Sequence, residues 1–133
     1  MIANVVWKQG QIFEGHSESN QTITFDADSA HLSGPSPMEA VLMALCACTS
    51  VDVVSILQKK REPIASLTVS ATAEQAPAPP RTFTKIMLTY RIGGAVSQKA
   101  AEDAVSLSKN KYCSVSKMLE KAVEIDYTVE LAG

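Results

Sequence analysis

Residues 36–61 read SPMEAVLMALCACTSVDVVSILQKKR, and this stretch decides the fold. Ser36 is a favourable N-cap, Pro37 falls at the first helical position, and Glu39 stands three residues after the cap, the spacing of a capping box. Apolar residues then run on to Leu57. Gln58-Lys59-Lys60-Arg61 follow, cations suited to a helix C-terminus, and Pro63 ends the helix. A helix over 36–61 is ~39 Å long at ~1.5 Å per residue. A compact chain of 133 residues has a radius of gyration of ~14 Å and a diameter of ~36 Å. The helix therefore crosses the whole monomer, and it is apolar on nearly every face. One subunit has too little chain to cover it, so a homodimer that wraps the helix from both sides is expected.

Met38 to Leu57 is also long enough to span a bilayer. Glu39 and Asp52 lie within it, with Thr49, Ser50 and Ser55. A carboxylate in mid-span costs ~2.5–3.5 kcal/mol on insertion scales, which favours the buried helix of a soluble protein and no membrane.

Upstream, residues 3–8 and 11–17 place Val5, Trp7, Ile12 and Phe13 around Gln9-Gly10, a hairpin pattern. Gln21 to Asp26 alternates Thr22 and Thr24 with Ile23 and Phe25, a third strand with one buried face. Downstream, Ile64–Glu74 and Thr82–Ile92 read as strands joined through Pro77-Ala78-Pro79-Pro80. Ser97–Asn110 has helical spacing, and Ser114 or Ser116 opens a short helix through Lys121. Val123 to Leu131 alternates apolar and polar residues as a half-buried strand does. The expected order is βββ-α-ββ-α-α-β, a single α+β domain over residues 1–133 with a long central buried helix.

Twelve Lys+Arg against fourteen Asp+Glu give a net charge of −2, and no basic run exceeds Lys59-Lys60-Arg61. Nucleic-acid binding has no electrostatic footprint here. With 46% hydrophobic and 20% charged residues the chain is not a disordered one. The first residues carry no cationic stretch followed by an apolar one, so no secretion signal is expected. Three cysteines do not make a secreted disulfide framework, and a reducing cytoplasm is the expected setting.

Chemistry-bearing residues are few. His16 and His31 have no metal-like companion spacing, and neither a phosphate loop nor a strained nucleophile turn is present. The thiols remain. Cys46 and Cys48, two apart on the helix, point ~200° away from each other. Cys48 shares its face with Thr49, Asp52 and Ser55, and Cys46 shares its face with Leu42 and Met43. By residue type Cys48 is the functional candidate and Cys46 a packing residue. Cys113 follows Lys109-Asn110-Lys111-Tyr112 at a helix boundary, a cationic setting in which the next helix start is expected to lower a thiol pKa.

Gly34-Pro35-Ser36-Pro37-Met38-Glu39, Leu45-Cys46-Ala47-Cys48-Thr49 and Tyr112-Cys113-Ser114-Val115-Ser116 resemble the signature blocks of the OsmC/Ohr family, in the forms of its smaller, YhfA-type branch. The resemblance implies an OsmC-like fold and an intertwined homodimer with thiol peroxidase sites at the subunit interface, without metal or flavin cofactors. It implies Cys48 as the peroxidatic thiol, Cys113 as the resolving thiol, and Glu39 as the carboxylate that helps hold a catalytic arginine. The cycle runs through a Cys48 sulfenate and a Cys48–Cys113 disulfide. An external dithiol, lipoyl in the family, restores both thiols, and organic hydroperoxides are favoured over hydrogen peroxide.

One part of the pattern is missing. The family's peroxidases use an arginine from the early strands or the following loop, and residues 1–60 contain none. Lys8, His16 and His31 are the only groups before Lys59 that carry or can gain a positive charge. Glu39 also has a purely structural reading, as the capping-box partner of Ser36. The alternative from another class is a non-catalytic dimer that binds an apolar small molecule in the interface cleft.

Overall fold

The computed structural model describes residues 1–132. Two compact units divide it, the first Met1–Leu42 and the second beginning at Met43.

The first unit is an antiparallel three-stranded sheet, β1 (Ala3–Gln9), β2 (Ile12–Ser17) and β3 (Thr22–Asp26), in that order. Gly10 turns β1 into β2 at φ +51°, a conformation that glycine adopts without steric cost, and the Trp7 indole donates to its carbonyl at 3.0 Å. The expected buried face on β3 is not formed by the single chain. Ile23 is exposed and Phe25 half-buried, and Val5, Val6 and Trp7 on β1 are exposed as well.

Helix α1 (Pro37–Lys59) starts in the first unit and continues through the second. Its bounds lie within two residues of those expected. Its buried residues are Leu45, Thr49, Val53 and Leu57, a single i, i+4 stripe. The remaining faces are partly or wholly open in one chain, as the excess of apolar surface over available cover requires.

The second unit holds the sheet β4 (Ile64–Gln75), β5 (Phe83–Gly94) and β6 (Glu124–Ala132). β4 and β5 are an antiparallel hairpin, whereas β6 runs parallel to β5, with Ile86 opposite Ile125 and Tyr90 opposite Val129. A parallel neighbour needs a crossover. Here it is built from α2 (Gln98–Leu107), one π-helical turn (Ser108–Tyr112) and α3 (Ser114–Leu119). Ser97 caps α2 by accepting from the Ala100 N–H. Ile86, Leu88, Tyr90 and Ile92 alternate inward along β5 and are fully buried. With the α1 stripe and Ala101, Ala104 and Val105 of α2 they form the core. The molecule is α+β in the expected element order.

The π-helical turn departs from the sequence reading, which continued α2 to Asn110. Its wider ring puts Ser108 wholly inside the unit and ends on Cys113.

Candidate functional site

Cys48 and Cys113 both lie in the second unit. Cys48 lies midway along α1, half-buried, and Cys113 follows the π-helical turn and is fully enclosed. Both are reduced thiols. Cys113 is the N-cap of α3, with its Sγ accepting the Ser116 N–H at 3.4 Å, and Ser114 opens the helix, which ends at Leu119, two residues short of the expected Lys121.

The expected fall in the Cys113 pKa is not found. Burial pushes the thiol up from its ordinary 9.0 to about 11, with Cys48 and the Asp52 charge adding to the rise. The Ser116 N–H favours the thiolate, as a helix start should, but desolvation outweighs it. Cys46 is half-buried, and burial raises its pKa too, in keeping with a packing role.

Beneath the thiols runs a buried polar chain that was not read from the sequence. The Thr49 Oγ1 lies 2.7 Å from the Tyr90 hydroxyl and 2.7 Å from Ser108 Oγ, and Ser108 Oγ donates to Asp52 Oδ2 at 2.8 Å. An ionised carboxylate only accepts, and each hydroxyl has a single proton to give. Once Ser108 donates to Asp52, Thr49 must donate to Ser108 and Tyr90 to Thr49. Tyr90 suits the head of that chain, because burial raises its pKa to about 12 and keeps its proton in place. The only sequence signal for the chain was the face that Cys48 shares with Thr49 and Asp52. A groove of about 620 Å³ opens alongside, lined by Asp52, Ser55, Ile56, Lys59, Leu107 and Tyr112 among others.

Glu39 sits in the first turn of α1, within the first unit. Its Oε1 accepts the Ser36 N–H at 2.9 Å while its own N–H donates to Ser36 Oγ at 3.1 Å, a complete capping box. The Ser36 bond is the main cause holding the Glu39 carboxyl below its ordinary range, with the nearby His31 assisting. His31 Nε2 is 3.9 Å from Glu39 Oε1. Its Nδ1 lies 2.9 Å from the Asp26 carbonyl, which can only accept, so Nδ1 carries a proton and Nε2 faces the carboxylate. His31 also adopts φ +48°, uncommon for a residue with a side chain. The group beside Glu39 is thus an imidazole where the resemblance implies an arginine. Among the described residues no cluster of three or more His, Cys, Asp or Glu is placed to hold a metal ion.

The chain belongs to the OsmC-like family, whose model, described as OsmC-like protein, matches residues 28–128. Protein YhfA of Escherichia coli K12 is 45% identical over 134 aligned positions, covering 100% of this chain and 99% of that protein. The crystal structure of a hypothetical protein from Aquifex aeolicus VF5 superposes with a TM-score of 0.85 at 28% identity, covering 99% of this chain and 97% of that one. The organic hydroperoxide resistance protein OhrB of Bacillus subtilis shares the fold at a TM-score of 0.70 and 16% identity, covering 99% and 98% of the two chains. Helix α1 has the length and apolarity to cross a membrane, but the family is one of soluble proteins.

Proposed function

We propose that this chain is a cytoplasmic oxidative-stress protein that reduces organic hydroperoxides through a two-cysteine cycle. The observation that carries the reading is the unequal exposure of the two thiols, with Cys48 partly open and Cys113 enclosed, its pKa pushed up to about 11. Peroxide has access to Cys48 first, while Cys113 stays protonated and shielded. Cys48 attacks the peroxide, alcohol leaves, and a sulfenate forms. Cys113 then displaces the sulfenate oxygen as water, which leaves the Cys48–Cys113 disulfide. An external dithiol, a lipoyl group in our reading, returns both thiols.

Glu39 is the supporting carboxylate in this scheme, with the His31 imidazole as its neighbour. The chain acts as one OsmC-like domain, supported by a family match that starts in the first unit at residue 28 and continues to residue 128, and by a relative aligned over the whole chain. Its working form is a homodimer, supported by the exposed apolar residues of β1 and of α1.

A second reading has its own support. An apolar cavity of about 230 Å³ in the first unit, lined by Val5, Ile23 and Phe25 among others, fits a dimer that binds an apolar small molecule without catalysis.

The test is intact mass and free-thiol count after one equivalent of cumene hydroperoxide, on wild type, Cys48→Ser and Cys113→Ser. Loss of two thiols and about 2 Da in wild type is expected, with a sulfenate about 16 Da heavier in Cys113→Ser and no reaction in Cys48→Ser. Slow oxidation indifferent to Cys48 would overturn the catalytic reading and favour the binding one.

A further inference from the structure

We infer that Asp52, acting through Ser108, is the positioning residue that holds Cys113 in register with Cys48 for disulfide closure. The inference rests on the two-cysteine reading and adds to it a residue that touches neither the peroxide nor the reacting sulfurs.

Asp52 follows Cys48 by four residues on α1, so the two project from one face. Its Oδ2 accepts from Ser108 Oγ at 2.8 Å, and Thr49 Oγ1 meets the same hydroxyl at 2.7 Å. Ser108 opens the π-helical turn, and its carbonyl accepts the Cys113 N–H at 2.7 Å. One fully buried serine is therefore tied by its side chain to the α1 turn that bears Cys48, and by its main chain to Cys113. A π-helical turn is a rare conformation that neighbouring contacts must hold. Ser116 Oγ, donating to the Lys109 carbonyl at 3.1 Å, secures the second residue of the turn.

This precision has a chemical use. A disulfide demands an S–S length of about 2.05 Å and Cα atoms within roughly 4.4–6.8 Å, so a small shift of the turn prevents closure. Closure joins Cys48–SOH and Cys113–SH, forming the S–S bond and breaking the S–O bond, and water carries away the hydroxyl and the Cys113 proton. No other oxidant or reductant enters. A clamp that aligns the sulfurs thus governs this step and leaves the earlier attack on peroxide untouched.

The decisive comparison is Asp52→Ala against Asp52→Asn, whose amide oxygen still accepts from Ser108. Each protein is equilibrated with oxidised and reduced dithiothreitol, and the Cys48–Cys113 disulfide is quantified by peptide mapping. Asp52→Ala should lower the disulfide equilibrium constant about tenfold or more, and Asp52→Asn should stay within about threefold of wild type. Ser108→Ala should match Asp52→Ala, and it supplies the reading if Asp52→Ala does not fold. After cumene hydroperoxide, Asp52→Ala should reach the sulfenate at the wild-type rate and then stall there. Equal equilibria in Asp52→Ala, Ser108→Ala and wild type would overturn the clamp, as would an Asn variant as impaired as the Ala one. A wild type that forms the disulfide with dithiothreitol but ignores hydroperoxide would sink the peroxidase reading while leaving the clamp standing.

Discussion

Thr49 occupies the centre of the polar chain. Its hydroxyl is wholly buried and serves both the Tyr90 hydroxyl and Ser108. Thr49→Val keeps the shape of the side chain but strands the tyrosine donor and removes the proton given to Ser108. A buried polar group left unpaired costs about 1–3 kcal/mol, so Thr49→Val should destabilise by roughly 2–3 kcal/mol. Tyr90→Phe leaves Thr49 still bonded to Ser108 and should cost about 1 kcal/mol. In Thr49→Val/Tyr90→Phe the stranded hydroxyl is gone, and the double change should cost about 1 kcal/mol less than the sum of the singles. Urea unfolding of the four proteins checks this, and strict additivity would mean that the Thr49–Tyr90 bond contributes nothing to stability.

At the scale of elements, the capping box is where structure and chemistry have to be separated. Glu39→Gln keeps an oxygen for the Ser36 N–H but removes the charge that faces His31. Its melting temperature should stay within about 3 °C of wild type, whereas Ser36→Ala, which loses the cap itself, should cost about 1 kcal/mol. If Glu39 supports the thiol chemistry, Glu39→Gln should also slow Cys48 oxidation about tenfold. Stopped-flow thiol loss with cumene hydroperoxide distinguishes this from a cap alone, for which the rate would not change.

The same helix explains how far the sequence could be read. Its start was legible because capping uses local, typed residues, Ser36, Pro37 and Glu39, and its end because Lys59 and Pro63 punctuate it. Cys48 and Cys113 of the candidate site were singled out by their blocks. The π-helical turn was not, since an extra residue in one turn leaves no mark in apolar periodicity. Nor was the Tyr90–Thr49–Ser108–Asp52 chain, whose members come from three elements and, Thr49 and Asp52 apart, lie far apart in sequence. The Cys113 pKa was misjudged because sequence displays the helix start and the lysines but not the burial that outweighs them.

For the whole molecule, the open question is what covers the apolar surface of a single chain. Only four of the 23 residues of α1 are buried. On the same helix Val51 is 70% exposed and Met43 59%. A fully buried valine gains roughly 1.5–3 kcal/mol over an exposed one, so leaving such residues in water forgoes several kcal/mol per chain. On the homodimer reading proposed above, a second copy of the chain would supply the matching apolar surface that a monomer of 14.2 kDa lacks. Sedimentation equilibrium at micromolar concentration should therefore give twice the chain mass of 14.2 kDa for wild type. If a second copy covers Val51, Val51→Lys puts an ammonium into the interface, and burying an unpaired charge should weaken the dimer by about 3 kcal/mol or more, roughly a hundredfold in dissociation constant. An exposed valine on a monomer would accept lysine with an effect within about 0.5 kcal/mol. A wild type that sediments as one chain, or a Val51→Lys protein that dimerises as tightly as wild type, would place the cover of α1 elsewhere than in a second copy packed against Val51.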